Sequence, residues 1–368
     1  MNIRSVTVKN FRCFGSLDLE FQGALTLIEG ANGSGKTSLL EALHYACYLR
    51  SFKTSHPKEL ITFQAPGFIL DIALSGFDRM HITFAHNKRT VKLNQKPLSS
   101  FKELYSTYKV VTLTEDDVDM VKGSPSVRRS YLDQVLIMLD PSYARVLRTY
   151  KIVLDNRNAL LARFNSDKDS YMIWTEQLWQ LSCTITQKRK QALADLEKAL
   201  QALACAMPAL PTLPGLLSFT YDHARGLNVT DYADAHALLE HASYLYNLEV
   251  TYKRTLFGAH LDDFTILFQN TPSRTYASRG QQKLIVFLLK VAQLKVLHQN
   301  TMQLESMEPS TMTFLVDDFM TDFDQAKIDL LLPLLQTYAS QVIITCPTGD
   351  SYLKHTLLAQ KAQLITLL

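Results

Sequence analysis

Apolar and polar residues alternate over Asn2–Val8 and again over Leu17–Phe21, the two-residue period of half-buried strands, and the pair predicts a hairpin. Ala24–Ile28 is a short apolar run that leads into glycine-rich residues. After them Leu39, Leu40, Leu43 and Cys47 recur at helical spacing within Thr37–Leu49, so a strand, a loop and a helix are expected in that order. Further strands are expected at Ile69–Leu74, His81–Ala85 and Val110–Leu113.

Helical periodicity then takes over. Ser124-Pro125 is a helix start, with serine at the cap and proline in the first turn, and Leu132, Val135, Leu136 and Leu139 make one apolar face. Trp174, Leu178, Leu181 and Ile185 form one helix seam and Leu193, Leu196, Leu200 and Leu203 another, so a long helix or a helical hairpin is expected. Pro208, Pro211, Pro214 and Gly215 should end it. A second strand-rich region follows, then a helix over Gln282–His298 and buried strands at Met312–Val316 and Gln341–Thr345. The pattern is that of an α/β domain split by a mostly helical insertion: residues 1–115, the insertion 116–245, and residues 246–368.

Apolar residues at 47% and charged residues at 20% are globular proportions and exclude wholesale disorder. The five cysteines show no C-x-x-C spacing, which fits a reducing compartment and gives no zinc signature. No run approaches the length of a membrane span, and Met1–Ser5 lacks a secretory apolar region, so a cytoplasmic protein is expected. The net charge of +3 decides nothing, but its distribution does. Between Lys122 and Arg163 eight basic residues face three acidic ones, whereas between Thr301 and Leu335 seven acidic residues face Lys327 alone. The first stretch suits a polyanion and the second a cation.

Three segments carry chemistry. Gly30-Ala31-Asn32-Gly33-Ser34-Gly35-Lys36-Thr37 fits G-x-x-x-x-G-K-[ST] in full. Its glycines let backbone N–H groups wrap a phosphate at a helix N-terminus, with Lys36 for the β- and γ-phosphates and the Thr37 hydroxyl for Mg²⁺, so ATP with Mg²⁺ is the expected ligand. Thr313–Asp318 is an apolar strand ending in two acids, Asp317 for the Mg²⁺ shell and Asp318 for the attacking water. Ser278-Arg279-Gly280-Gln281 opens a helix, and by itself reads either as an ordinary capped helix or as an anion site.

Taken in order, these segments resemble the Walker A, signature and Walker B motifs of ABC-type ATPases. The opening Lys9–Phe14, the segment Val121–Asp133 and the segment Thr255–Asp263 narrow the resemblance to the RecF family of the SMC/RecF group, over essentially the full length. That resemblance implies a split ABC-type head with a helical arm. It further implies an ATP-sandwiched homodimer in which Ser278, Arg279, Gly280 and Gln281 complete the partner's γ-phosphate site, with Asp324 in the D-loop. Single- and double-stranded or gapped DNA, the partners RecO and RecR, RecA loading and the SOS response are implied as well. The sequence departs from the family pattern at Ala259, Leu261 and Thr114–Asp117. Thr345 stands where transporter ATPases carry a switch histidine, and Asp318 where most ABC enzymes use glutamate, which implies slow, DNA-stimulated hydrolysis suited to a switch.

Arg12 is either a helper at the phosphates, as in the SMC relatives, or a surface arginine. Arg128, Arg129, Arg145, Arg148 and Lys151 are the candidate DNA contacts, although one of the first two can instead hold a carboxylate. Tyr131, Tyr143 and Tyr150 suit base stacking but, at helical spacing, suit the core better. An ABC transporter subunit, a non-hydrolysing nucleotide-binding scaffold and a small-molecule kinase remain as other classes.

Overall fold

A computed structural model describes residues 2–76, 78–98, 104, 108–163, 168–206, 217–223, 235–303, 312–349 and 351–367. The prolines at 208, 211 and 214 and Gly215 lie outside the described residues, as do Glu305 and Glu308 of the acidic stretch. The chain packs into two compact units, one of residues 1–118 and 286–368 and the other of residues 119–285. The second unit thus runs to Ile285, where the sequence pattern alone suggested a boundary at 245. No helix among the described residues is long and apolar enough to cross a membrane.

The first unit holds two sheets. The strands β1 (Ile3–Phe11), β2 (Phe14–Glu20), β4 (Gly67–Leu74), β5 (Arg79–Ala85), β6 (Lys88–Leu93) and β7 (Lys96–Pro97) form one in the order β2-β1-β4-β5-β6-β7, with antiparallel neighbours. Their burial alternates, as in Gly67–Leu74, because one face packs inward and the other meets water.

The strands β3 (Leu25–Gly30), β8 (Lys109–Leu113), β12 (Met312–Val316), β13 (Gln341–Pro347) and β14 (Gln363–Leu367) form a parallel sheet in the order β14-β3-β13-β12-β8. Here β3, β8 and β12 are buried at every residue, as a parallel strand covered on both faces must be. In this order β13 lies between β3 and β12, with Val316 beside Ile344 and Ile28 beside Thr345. The chain leaves the C-terminal ends of β3 and β12 on either side of Thr345, and in open parallel sheets ligands bind at such ends.

The second unit is mostly helical. Its longer helices among the described residues are Pro125–Leu139, Tyr143–Leu161, Lys168–Ala206 and Ala235–Tyr252, beside a small antiparallel sheet of β9 (Leu217–Asp222), β10 (Asp263–Phe268) and β11 (Thr271–Pro272). The two seams at 174–185 and 193–203 belong to one continuous 39-residue helix rather than a hairpin. Tyr143, Tyr150, Leu178, Trp179 and Ile185 lie in one core cluster, and Tyr131 is buried too, so the three tyrosines are structural. The helix Ala235–Tyr252 interrupts what the sequence pattern presented as a strand-rich region.

Candidate nucleotide site and arm surface

β3 ends at Gly30, and the loop behind it closes tightly enough for the Ser34 N–H to donate to the Ala31 carbonyl at 3.1 Å. A Cβ on Gly30 would stand 2.4 Å from Ser34 Oγ and 3.0 Å from the Leu367 carbonyl oxygen, so a larger residue there forces the loop to shift. Gly35 precedes the helix Lys36–Tyr48 at φ 97°, where a side chain is strained and would also strike the Phe14 ring and Cys13 Sγ. Ala31, Asn32 and Gly33 complete the loop.

Lys36 is buried, and its Nζ donates to the carbonyls of Gly30 (2.9 Å) and Ala31 (3.3 Å) and lies 3.7 Å from Asp318 Oδ2. Thr37 Oγ1 donates to Asp317 Oδ1 at 3.0 Å, joining the two motifs across 280 positions of sequence. The residues fit a Mg-nucleotide: the Ser34 hydroxyl is buried inside the loop without a partner, and a hydroxyl and a carboxylate of the right chemistry for Mg²⁺ already touch.

Two adjacent carboxylates are held here in different surroundings. Asp317 is buried, and that burial, with the neighbouring Asp318 charge, raises its pKa against the opposing hydrogen bonds from Thr37 and Thr345. A bound cation would reverse the balance by favouring the charged form. Asp318 is about one-third exposed and sits at φ 50°, a left-handed conformation that turns its side chain out of the strand line.

Thr345, fully buried at the end of β13, spans both acids. Its oxygen accepts from the Asp318 N–H at 2.9 Å, and its hydroxyl lies 2.9 Å from Asp318 Oδ1 and 3.1 Å from Asp317 Oδ1. Its single proton serves one carboxylate at a time. The sequence placed Thr345 where transporter ATPases carry a switch histidine, but its bridging of the two acids depends on the strand order.

Around this centre other expectations resolve. The Arg12 guanidinium clamps Glu41 with two bonds (2.7 and 2.8 Å) and donates to the Glu59 carbonyl, so it is a structural arginine. In the turn at 114–117, Asp117 accepts from the Thr114 N–H at 2.7 Å and pairs with Lys290 at 2.8 Å. Asp324 caps the helix Gln325–Tyr338, accepting from the Lys327 N–H at 2.9 Å and pairing with its ammonium, which lowers its pKa.

In the second unit, Ser278 and Gln281 make a reciprocal capping box. The Ser278 N–H donates to Gln281 Oε1 at 2.8 Å and the Gln281 N–H to Ser278 Oγ at 3.3 Å. Ser278, Arg279 and Gly280 are exposed at the start of the helix Arg279–Gln303, and a Cβ on Gly280 would meet nothing within 4 Å. Ser278 and Gln281 thus cap the helix, and the same residues leave that end open to solvent.

The basic arm needs correction. Arg128 is buried and forks onto Asp263 at 2.7 and 2.8 Å while donating to the Gly123 carbonyl, so it is not available to DNA. Arg129 donates to the Asp262 carbonyl at 2.6 Å, and burial lowers its pKa. Arg157 is wholly buried against Glu249, Tyr171 and Thr255. Asp262 also accepts from Thr186 and Tyr221, both at 2.8 Å, and Arg189 joins Asp133 to the Ala259 carbonyl. The two segments Val121–Asp133 and Thr255–Asp263 thus bind each other. Arg145, Arg148 and Lys151, in contrast, are exposed on the helix Tyr143–Leu161 with no ion pair among the described residues.

A family model described as an AAA domain matches residues 5–204. The DNA replication and repair protein RecF of Chlorobium phaeobacteroides (strain BS1) is 30% identical over 357 residues, covering 94% of this chain and 95% of the relative. That of Protochlamydia amoebophila (strain UWE25) is 30% identical over 358 residues, covering 96% of each. A solved structure of the recombination mediator protein RecF-ATP in the RecFOR pathway is 26% identical with a TM-score of 0.81, over 95% of this chain and 92% of that one. These comparisons support the split ATPase-head fold expected from the motifs.

Proposed function

The chain carries an AAA domain and belongs to the RecF family of DNA replication and repair proteins; from that premise we propose that it is an ATP-dependent DNA-binding protein of replication and recombinational repair. The observation that carries this reading is the contact of Thr37 with Asp317, which with Lys36, Asp318 and Thr345 unites the phosphate loop and the aspartate strand in one centre.

Lys36 supplies cationic donors to the β- and γ-phosphates of ATP, and Thr37 and Asp317 hold Mg²⁺. When bound, Mg²⁺ neutralises charge developing on those phosphates. Asp318 accepts from Thr345 through one oxygen, and its partly exposed carboxylate orients a water for attack. A carboxylate one methylene shorter than glutamate holds that water at a longer reach, so turnover is slow and suits a switch, and DNA stimulates it.

Ser278, Arg279, Gly280 and Gln281 of one protomer cap the nucleotide of the other, giving an ATP-gated homodimer, and the open helix end at Gly280 supports this assignment. Asp324 belongs to the same interface. The dimer closes on duplex next to gapped or single-stranded DNA in the cytoplasm. There it acts with RecO and RecR to help RecA load and to support the SOS response.

Two variants test the reading. Lys36→Met abolishes tight ATP binding, and normal affinity would remove the phosphate loop from the mechanism. Asp318→Asn preserves ATP binding but accumulates the ATP-bound dimer with little phosphate release; unchanged release would take Asp318 out of it.

A further inference from the structure

The outermost strands of the two sheets in the first unit are β2, β7, β8 and β14, and three of them are guarded against a further strand. β7 is only Lys96 and Pro97, and β2 carries Asp18 and Glu20; short, charged or proline-bearing edges resist pairing. β8 is buried at every residue, and Tyr48 takes up its backbone from the side. The Tyr48 hydroxyl donates to the Val110 carbonyl at 2.8 Å and accepts from the Val110 N–H at 3.0 Å.

β14 has no such guard. Gln363-Leu364-Ile365-Thr366-Leu367 holds no charge and no proline, and it pairs with β3 in an unbroken register. No strand among the described residues pairs with its other side. A strand paired on one side only presents a row of N–H and C=O groups outward. Among the described residues, 363–367 make no backbone–backbone bond apart from the ladder to β3. The strand is also held ready. The Gln363 side chain accepts from the Gln22 N–H and donates to the Glu20 carbonyl, both at 2.8 Å, which fixes where β14 begins.

Length and charge decide what fits this edge. Five residues extend about 17 Å, and pairing along them buries well under the roughly 1,200 Å² at the low end of stable protein interfaces. That is too little to hold a second copy of this chain, whereas a single extended segment gains its main-chain bonds without a wide surface. Every second side chain of such a segment lies on the face of Leu364 and Thr366, both exposed, and an apolar one covers Leu364. Lys361, exposed in the turn before β14, has no ion pair among the described residues, so it suits a carboxylate at the adjoining end of the segment.

We infer that β14 is a docking edge for an extended segment of another protein, which joins the parallel sheet as a further strand. That segment carries apolar residues at alternate positions and an acid beside Lys361. It lies one strand removed from β3, which leads into the phosphate loop.

The test is selection of a random peptide library on the full chain, followed by synthesis of the enriched peptides. Their binding is measured by fluorescence anisotropy, and hydrogen exchange of 363–367 is followed by mass spectrometry. Enriched peptides should share the alternation and the acid, and slow exchange of 363–367 several-fold. Leu364→Glu, which sets a carboxylate on the apolar face, weakens their binding more than tenfold. Lys361→Glu weakens it about fivefold, the size of one solvent-facing charged contact. Urea midpoints show that both variants fold; if that of Leu364→Glu drops, Lys361→Glu alone decides. Three results would overturn the inference. One is that no peptide slows exchange at 363–367, and another is that enriched peptides bind both folded variants as tightly as the wild type. The third is a nucleotide-independent dimer, seen by light scattering and lost in Leu364→Glu, which would assign the edge to a second copy.

Discussion

Arg128 and Arg145 differ by 17 positions and by everything that matters to their chemistry. Arg128 is forked onto Asp263 in a nearly dry setting, so Arg128→Ala strands that carboxylate and costs about 3 kcal/mol of stability, measurable as a lower urea midpoint. Arg145 pairs with no acid among the described residues and faces water, so Arg145→Ala leaves the midpoint within about 0.5 kcal/mol. On the DNA reading it also lowers the slope of log affinity against log salt by about one. An unchanged slope in Arg145→Ala and Arg148→Ala would move the DNA surface off this helix. Both arginines stand in the same run of positive charge, and a count of charges along the chain cannot separate them. Their difference is set by Asp263, 135 positions along the chain from Arg128. Thr345 is a similar case, because only the placing of β13 between β3 and β12 gives its hydroxyl two carboxylates. Thr345→Val leaves the Asp318 N–H without its acceptor and lowers turnover, and Thr345→Ser restores it; equal rates in both variants would make Thr345 a spacer.

Among the elements, the central strands of the parallel sheet were the most legible, since β3, β12 and β13 appear in the sequence as largely apolar, buried runs and end where the chemistry begins. Less legible were elements whose reason lies elsewhere in the chain. Gln341 is fully buried inside β13 because it exchanges two hydrogen bonds with the backbone of Ile3, at 2.8 and 2.9 Å, a pairing that no local pattern reveals. The helix Lys36–Tyr48 carries a pH dependence through His44, which is buried, hydrogen-bonded to Thr112 and held down to about 3, mainly by desolvation and secondarily by Lys290. In the other unit desolvation, helped by Arg129, Arg157 and Arg189, holds His260 at about 4. Between these values and about 6.5 the unfolded chain binds protons that the folded chain does not. Stability is therefore complete above pH 6.5 and falls by about 2 kcal/mol for each histidine by pH 5. The raised pKa of Asp317 works weakly the other way. Urea midpoints at pH 8 and pH 5 check this, with His44→Gln expected to flatten the slope of the first unit. The helix Arg279–Gln303 carries the other element-level expectation. Ser278→Arg keeps ATP binding by the monomer but blocks the ATP-dependent dimer, as read by light scattering, and a dimer formed by the variant would refute the shared site.

For the whole molecule, the sequence motifs sketched a split α/β head and a helical insertion, and the structure divides the chain into two units, each closed by contacts distant in sequence. In the first, residues 1–118 and 286–368 bring Thr37 to Asp317 and Lys290 to Asp117. In the second, the segments around Arg128 and Asp263, both singled out from sequence as family features, turn out to hold each other. That leaves Arg145, Arg148 and Lys151 as the named basic residues free to meet phosphate, a sequence-independent and salt-sensitive kind of contact. The central claim, that nucleotide state governs DNA binding, is tested most directly by fluorescence anisotropy of a labelled gapped duplex titrated with the protein. The titration is run in Mg-ATP and in Mg-ADP, each at two salt concentrations. The account predicts tighter binding in Mg-ATP than in Mg-ADP, weakening with salt in both. Equal affinity in the two nucleotide states would contradict it.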